Sequence, residues 1–467
     1  MTVAEKVQTR DSIAGISFFL SRAMSSHLLD ADFTTYLKQL FHGGIVNQSE
    51  QRAAWHTEFR NPNPCELVHT SFVQMRQLSD SIREKQWFFE VHDVVNIGIG
   101  GSDLGPKLIC EAFADEINGP NSHFVSNLDM TQIQSLLKKL SPQKTLFIVT
   151  SKSFRTLETL ENMHVAKQWL IENQLDPAKH MIAITSNVAQ AVEIHQIPPS
   201  QVLSIPDWMG GRYSIWSAVG MSCAIAFGFE KFYEMHQGAH EMDQHFYDAP
   251  TSDNNIIQYA LMMHEALLHE NLKTLTVLPY AHRLRSLPDY LQQLFMESLG
   301  KCIDQQGQPV HSATGPIVFG GAGTNSQHSF QQLMMQGTHS IFADYILPLD
   351  QPKVVANCVT QVKTLREGVA DINALKAIPG GKIANLFVFE KLNLRTLGAI
   401  LAFYEHVVVT LAFLLNINPF DQFGVEHAKC ASEAVLQQFQ GVAPTLAEIN
   451  DLIPSPSEIL PSTVLMI

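Results

Sequence analysis

The residues best suited to binding a phosphate lie in the stretch TLFIVTSKSFRTLET, residues 145–159. An apolar run ends there, and Ser151, Lys152, Ser153 and Thr156 follow it just before a helical pattern. Three hydroxyl groups and a cation at the start of a helix can hold a phosphate, because the helix N-terminus also favours negative charge. The alternative is a hydroxyl-rich helix start that binds nothing. A second loop that also follows a strand and opens a helix favours the phosphate site over that alternative.

That second loop is a glycine-rich turn, NIGIGGSDLGPKL, at residues 96–108. The dinucleotide fingerprint GxGxxG begins at Gly98 and Gly100, but Asp103 stands where the third glycine belongs. A carboxylate near a pyrophosphate would repel it, so we exclude a nucleotide-dependent oxidoreductase. The turn also lacks the GxxxxGK[ST] pattern of a P-loop. It is either a plain strand-to-helix turn, with Ser102 as a helix cap, or half of an anion site.

Two more stretches offer a cation and a carboxylate. In DWMGGRYSIWSA (207–218), Arg212 follows two glycines that permit a tight turn, and it is either a surface residue or a cation in a cleft. In DYLQQLFMESLGK (289–301), Gln293 and Glu297 are four residues apart and share one face of a helix. Glu297 among apolar neighbours could act as a general base, although most helical glutamates are simply solvated.

The remaining candidates lie nearer the C-terminus. In FGGAGTNSQHSFQQL (319–333), we expect His328 to begin a helix, where the helix dipole disfavours the charged imidazole. In NPFDQFGVEHAK (418–429), Gln422 and Lys429 are seven residues apart and face the same way if the helix begins near Gln422. A lone histidine is more often structural, and a lone lysine is more often solvated, so neither residue carries a role by itself.

The 20 histidines raise the question of a metal site. The stretch HEALLH (264–269) resembles the zinc motif HExxH, but its histidines are five residues apart and point in different directions. The stretch HQGAH (236–240) has the four-residue spacing without a glutamate between its histidines. We therefore expect no metal site.

Composition excludes several classes of protein. The net charge of −14 argues against a nucleic-acid footprint, which needs a basic face. Six cysteines without a CxxC pair, and an N-terminus without signal-peptide features, predict a cytoplasmic protein with reduced thiols. The stretch LGAILAFYEHVVVTLAFLLNI (397–417) is long enough to span a bilayer, but Glu405 and His406 near its middle favour a buried helix of a soluble domain.

Strands alternate with helices after a largely helical region, residues 1–90, which predicts parallel sheets covered by helices. We expect a smaller α/β domain at 91–248 and a larger one, with C-terminal helices, at 249–467. The predicted strands are 94–99, 123–127, 145–150, 181–185, 202–205, 274–278, 316–320, 341–347 and 385–390. The predicted helices are 103–116, 130–140, 156–172, 187–194, 255–269, 351–376 and 394–416.

The motifs GGRYSIWSA, MESLGK, GTNSQHSFQQL and FDQFGVE, the last followed by Lys429, together resemble the glucose-6-phosphate isomerase (phosphoglucose isomerase) family. The resemblance spans roughly residues 95–430, in the family's order. It implies an α/β fold of two sugar-isomerase (SIS) domains, each a parallel sheet flanked by helices. It also implies a cofactor-independent interconversion of glucose 6-phosphate and fructose 6-phosphate.

The resemblance assigns roles to the candidate residues. Glu297 matches the base that moves a proton between C2 and C1, and Arg212 matches the cation beside the enediolate. His328 and Lys429 match the residues that assist ring opening. The positions that match substrate contacts are Gly101, Ser102, Ser151, Lys152, Ser153, Thr156, Gln293 and Gln422. We expect the Asp103 carboxylate to point away from the phosphate.

The family works as a homodimer in which the histidine of one subunit reaches the other subunit's site, so we expect His328 to act in trans. The chain departs from the family pattern at Arg155, Leu299 and Ser326, and Arg155 bears on the shape of the phosphate loop. Two alternatives remain: an isomerase that also accepts mannose 6-phosphate, and an SIS protein that senses a sugar phosphate without catalysis. The joint presence of Glu297, His328 and Lys429 argues against the sensor.

Overall fold

The computed structural model describes residues 12–24, 29, 31–439 and 442–453. In chain order, the strands of this part of the chain are β1 (Ile16–Phe19), β2 (Ile45–Asn47), β3 (Arg52–Ala53), β4 (Asp93–Ile97), β5 (Asn121–Val125), β6 (Thr145–Thr150), β7 (Met181–Thr185), β8 (Val202–Ser204), β9 (Thr274–Pro279), β10 (Ile317–Gly320), β11 (Phe342–Pro348) and β12 (Ile383–Phe389).

The α-helices of the same ranges are α1 (Ala31–Phe41), α2 (Glu66–Arg83), α3 (Leu104–Ala112), α4 (Thr131–Leu137), α5 (Leu157–Glu172), α6 (Met221–Phe227), α7 (Phe229–Asp248), α8 (Asn255–His269), α9 (Leu287–Gln292), α10 (Gly323–Ser326), α11 (Gln331–Gln336), α12 (Pro352–Glu367), α13 (Leu394–Leu414), α14 (Phe423–Gln438) and α15 (Leu446–Leu452). Short 3-10 and π-helical turns join several of them.

Two five-stranded sheets form the core of the architecture. The first has the order β5-β4-β6-β7-β8 and is parallel throughout. The second has the order β1-β12-β11-β9-β10 and is parallel except for β1, which runs antiparallel to β12. Every residue of β6, β7 and β11 is buried, as expected of strands covered by helices on both faces. The predicted α/β class with parallel, helix-flanked sheets is confirmed.

Some helices are shorter in the structure than the sequence predicts, because the local backbone geometry ends them. The helix predicted over 351–376 ends at Glu367, because Gly368 adopts a φ of +75° that an α-helix cannot continue through. The stretch predicted as a helix over 187–194 is a five-residue π-helical turn, Gln190–Ile194. Each of the nine predicted strands is present, with ends shifted by at most three residues.

The N-terminal region is helical in α1 and α2, but it also supplies strands. The four residues of β1 pair with β12, so the second sheet takes one strand from outside the predicted 249–467 domain. Strands β2 and β3 form a small antiparallel hairpin of their own. The domain boundaries at 90 and 248 stay predictions. The outer ends of the first and last predicted domains, residues 1–11 and 454–467, lie outside the described part of the chain.

The apolar helix α13 is a core helix. It is long and apolar enough to cross a membrane, but 89% of its most apolar window is buried inside the protein. The two polar residues near its middle that the sequence singled out have partners: Arg60 donates from Nη1 to Glu405 Oε2 at 2.5 Å, and His406 Nε2 lies 2.6 Å from Asp243 Oδ1. Burial raises the pKa of Glu405 to about 7, against the opposing charge of Arg60. This cluster fixes the N-terminal region against α7 and α13.

Candidate functional site

Two cavities adjoin each other beside the predicted site residues. One of about 870 Å³, called here the carboxylate cavity, is lined by residues that include Met296, Glu297, Lys301, Asp421 and Gln422. Another of about 600 Å³, the hydroxyl cavity, is lined by residues that include Arg52, Lys152, Ser153, Arg155, Thr156, Gly211 and Gln422. Gln422 lines both cavities, so the two lie side by side. The hydroxyl cavity also takes Lys152, Ser186 and Asp207, which follow β6, β7 and β8, so it lies at the edge where an open α/β sheet binds ligands.

The glycine-rich turn after β4 is packed tightly against the Arg212 segment. A Cβ added to Gly101 would stand 2.0 Å from the carbonyl oxygen of Gly211, so no other residue fits there without separating the two segments. Gly100 has a φ of +61°, and a Cβ on it would stand 2.8 Å from Gln293 Nε2. The turn therefore brings the first sheet, the Arg212 segment and Gln293 together.

Ser102 does not cap α3, so the alternative in which Ser102 serves as a helix cap is wrong. It closes a 3-10 turn, Gly100–Ser102, and Asp103 occupies the cap position without making a side-chain cap. Burial raises the pKa of Asp103 to about 6, against the opposing effects of Lys107 and the Ser126 side chain. Because Ser126 follows β5, which flanks β4 on the side opposite β6, the Asp103 carboxylate faces away from the loop after β6.

The loop after β6 folds on itself in front of α5. The hydroxyls of Ser151 and Thr156 are 2.9 Å apart, and the backbone N–H of Phe154 donates to Ser151 Oγ at 3.1 Å. Phe154 is buried with a φ of +51°, which directs the neighbouring Ser153 outward into the hydroxyl cavity. Thr156 precedes α5 without a side-chain cap, so the first N–H groups of α5 remain available to a ligand.

Lys152 ties this loop to the segment before Arg212. Its Nζ donates to the carbonyl oxygens of Asp207 at 2.7 Å and Met209 at 2.9 Å. Burial, reinforced by the charge of Arg52, lowers the pKa of Lys152 to about 8. The same cavity carries the exposed side chain of Arg155, so the departure from the family pattern adds a cation at this site.

Arg212 is buried and its guanidinium is held on several sides. Its Nε donates to Ser298 Oγ at 2.6 Å, its Nη1 to Gln422 Oε1 at 3.0 Å, and its Nη2 to the Asp421 carbonyl at 3.1 Å. Arg212 Nη1 also lies 3.5 Å from Glu297 Oε2. Of the two positions left open for Arg212, the structure excludes the surface, because the residue is buried beside Glu297 and Gln422, which line the cavities.

Glu297 ends a π-helical turn, Gln293–Glu297, that continues α9. The predicted shared face is present, since Gln293 Nε2 donates to Glu297 Oε2 at 2.9 Å. The Glu297 side chain is 24% exposed and lines the carboxylate cavity, so one side remains open to a ligand while the other meets Arg212. Single π-helical turns inside helices are frequent at functional sites.

Two predicted site residues stand apart from this group. His328 does not begin a helix as expected, but lies exposed in the turn between α10 and α11 and lines neither cavity. Lys429 lies on α14, and its side chain is outside the described part of the structure. Gln422 stands at the N-cap position of α14 without a side-chain cap, so the helix begins at Phe423, next to the expected start.

The structure adds site residues that the sequence did not suggest. The β2–β3 hairpin lines the carboxylate cavity with Gln48, Ser49 and Gln51 and the hydroxyl cavity with Arg52. No local pattern marked this hairpin, because tertiary contacts alone bring it to the site. Lys301 belongs to the MESLGK motif, but its position in the carboxylate cavity could only be seen in the fold.

The arrangement has a definite chemical capacity. A carboxylate held 3.5 Å from a buried guanidinium can take a proton from a carbon beside a carbonyl while the cation stabilises the oxyanion that forms. The adjoining cavity offers hydroxyls, cations and the N-terminus of α5 to an anionic group. A small molecule with a carbonyl at one end and a phosphate at the other fits both cavities.

Comparison with known proteins agrees with this capacity. The family model described as phosphoglucose isomerase matches residues 20–446. Curated glucose-6-phosphate isomerases are similar: that of Coxiella burnetii is 39% identical over 86% of this chain and 82% of its own, and that of Saccharophagus degradans is 41% identical over 85% and 80%. The crystal structure of a glucose-6-phosphate isomerase from Chlamydia trachomatis superposes with a TM-score of 0.83 at 28% identity, covering 95% of this chain and 92% of that one.

Proposed function

This chain belongs to the phosphoglucose isomerase family, and from that premise we propose that it interconverts D-glucose 6-phosphate and D-fructose 6-phosphate through an enediolate, as in glycolysis and gluconeogenesis. The observation that carries the proposal is the placement of the Glu297 carboxylate 3.5 Å from the Arg212 guanidinium, open to the carboxylate cavity. The reaction needs no cofactor, because one carbon loses a proton and its neighbour gains one, with no net oxidation or reduction.

Glu297 is the base that carries the proton between C2 and C1. Arg212 stabilises the enediolate oxygens, since its guanidinium is already oriented by Ser298 and Gln422 before the charge develops. Gln293 orients the Glu297 carboxylate through its 2.9 Å hydrogen bond. Each requirement of the proton transfer, a positioned base and a fixed cation, is therefore met by a residue beside the same cavity.

The phosphate binds in the hydroxyl cavity. Ser153, Thr156 and Lys152 line this cavity and supply hydroxyls and a positive charge, and Ser151 lies behind them, hydrogen-bonded to Thr156. Gly101 and Ser102 belong to the turn packed against Gly211 of the same lining and are further proposed contacts. The first N–H groups of α5 face the same anion. Because binding energy from this remote group positions the reacting carbons, an uncharged hexose is a very poor substrate.

Ring opening is assigned to His328 and Lys429 in a homodimer with shared active sites. His328 is exposed and lines neither cavity of its own chain, which supports a role at a partner's site. The five cysteines whose side chains are described are free thiols, which supports a reducing, cytoplasmic location.

The test is turnover by the purified protein in EDTA. We expect glucose 6-phosphate to be converted to fructose 6-phosphate and free glucose to be left unchanged. Comparable turnover of mannose 6-phosphate would show the dual isomerase. A folded sample that binds fructose 6-phosphate without converting it would contradict catalysis and indicate the sensor.

The shared site makes a prediction about mixed dimers. Dimers of His328→Ala and dimers of Glu297→Gln should each be nearly inactive. After random exchange half of the dimers are mixed, and each mixed dimer has one intact site of two, so we expect about a quarter of wild-type activity to return. Exchange is followed with a tag on one variant. Confirmed exchange without recovered activity would contradict the action of His328 in trans.

A further inference from the structure

Lys301 lies where the helical segment that carries Glu297 ends. Its Nζ donates to the carbonyl oxygens of Glu297 at 2.8 Å and Ser298 at 3.0 Å. Carbonyl groups at the end of a helix lack partners within the helix and carry partial negative charge, so a cation there is favourable. Lys301 thus binds the carbonyl end of the segment that carries two functional side chains. One is Glu297, the proposed base, and the other is Ser298, whose hydroxyl accepts a hydrogen bond from Arg212.

The same ammonium reaches across to a second segment, the loop 418–422, called here the clamp loop. Lys301 Nζ donates to the Asp421 carbonyl at 3.0 Å and lies 3.5 Å from Asp421 Oδ1. The Asp421 carbonyl also accepts from Arg212 Nη2 at 3.1 Å, and the next residue, Gln422, accepts from Arg212 Nη1. Two cations therefore share one carbonyl oxygen of the clamp loop.

The clamp loop is held from its other side by the N-terminal hairpin. Asp421 Oδ2 accepts from Ser49 Oγ at 2.6 Å and from Asn418 Nδ2 at 2.9 Å. Asn418 Nδ2 also reaches Asn47 Oδ1 at 2.8 Å. With Asp421 engaged by the hairpin, the bond from Lys301 joins the clamp loop to the end of the Glu297 segment, and the position of Arg212 follows from both.

We propose that Lys301 is a positioning residue for the isomerisation: its ammonium fixes the clamp loop against the Glu297 segment and thereby sets the Arg212 guanidinium beside the Glu297 carboxylate. The inference rests on the proposed function. Lys301 makes no proton transfer itself. Loss of its bonds frees the clamp loop to shift, and a displacement of about 1 Å at reacting groups costs about 10²-fold in rate.

The charge of Lys301 depends on pH within the working range of an enzyme. Burial, reinforced by Arg212 and opposed by Asp421 and Glu297, lowers the pKa of Lys301 to about 8. Below this pH the ammonium can donate three hydrogen bonds and attract Asp421. As pH rises through about 8 the amine loses one donor and its charge, so kcat should fall on the alkaline side.

Lys152, the other lysine whose pKa burial lowers to about 8, should not produce this limb in kcat. The bound phosphate places negative charge beside Lys152 and favours its ammonium form, which moves its deprotonation to higher pH in the complex. The pH dependence of kcat reports groups in the enzyme–substrate complex. We therefore expect Lys301 to produce the alkaline limb in kcat, and the loss of that limb in Lys301 variants is the test.

The experiment compares Lys301→Met and Lys301→Arg with the wild type across pH 6–10. We expect Lys301→Met to lower kcat about 10²-fold at pH 7, with KM for glucose 6-phosphate changed less than about threefold. The limb near pH 8 should vanish in both variants, because methionine does not titrate and arginine stays charged throughout. Lys363→Met, at an exposed lysine of α12, is the matched control and should keep wild-type kcat, KM and pH profile.

Three results would overturn the proposal. One is a Lys301→Met enzyme with kcat within about threefold of wild type. Another is an alkaline limb that stays near pH 8 in Lys301→Arg, which remains informative if Lys301→Met does not fold. The third is a Lys301→Met enzyme whose KM rises by the same factor as its kcat falls. A wild-type protein that binds fructose 6-phosphate without turnover would instead contradict the proposed function.

Discussion

Replacing Glu297 by glutamine should lower kcat by about 10²–10⁴-fold, the range that a general base contributes. Glutamine has the same size and can keep contacts with Gln293 and Arg212, but it cannot accept a proton from carbon. Binding of fructose 6-phosphate, measured by calorimetry, should change little, because the phosphate is held in the hydroxyl cavity and not by Glu297.

The matched control for this substitution is Glu367→Gln, at an exposed glutamate of α12 that pairs with Lys363. The control enzyme should keep its turnover and binding. A Glu297→Gln enzyme that loses affinity and turnover in the same proportion would show that Glu297 binds substrate and does not carry the proton.

Replacing Arg212 by lysine should lower kcat by about 10²–10³-fold, the loss typical of removing a preorganised oxyanion donor. Lysine keeps the positive charge, but a single ammonium cannot reproduce the planar set of bonds to Ser298, Gln422 and the clamp loop. Because Arg212 is proposed to act on charge that develops during the reaction, KM should rise much less than kcat falls.

An exposed arginine provides the comparison. Arg395 lies at the start of α13 and pairs with Glu241. A lysine there can still form an ion pair with Glu241, so Arg395→Lys should leave kcat unchanged. If Arg212→Lys keeps kcat within about threefold of wild type, the positive charge alone is sufficient and the fixed guanidinium geometry has no catalytic part.

Much of the fold follows from apolar runs in the sequence. Strands such as β6 and β11 are buried along their whole length, so they stand out as continuous hydrophobic stretches. The strand β1 could not be assigned this way, because four residues near the N-terminus pair with β12, more than 360 residues later. Its pairing is a tertiary property and leaves no local periodicity.

Some site residues could likewise be predicted from the sequence, and others could not. Gln293 and Glu297 could be paired from their spacing, since four residues along a helix bring two side chains together. Lys301 and Asp421 could not, because their contact joins segments 120 residues apart and neither residue type suggests burial. Ser49 was missed for a further reason: the hairpin that carries it reaches the site through tertiary contacts, among them hydrogen bonds with the clamp loop and from Arg52 to the Asp207 carbonyl.

The central claim is that a protein base moves a proton between C2 and C1 beside a fixed cation. It is tested most directly by converting fructose 6-phosphate in D2O and locating deuterium in the recovered sugars by NMR. If the Glu297 carboxyl exchanges its proton with solvent, the wild-type enzyme should place deuterium at C2 of glucose 6-phosphate and at C1 of fructose 6-phosphate. On the same time scale Glu297→Gln should form neither deuterated sugar. A Glu297→Gln enzyme that forms product, deuterated or not, at the wild-type rate would contradict the account, because the proton would then move between the carbons without the Glu297 carboxylate.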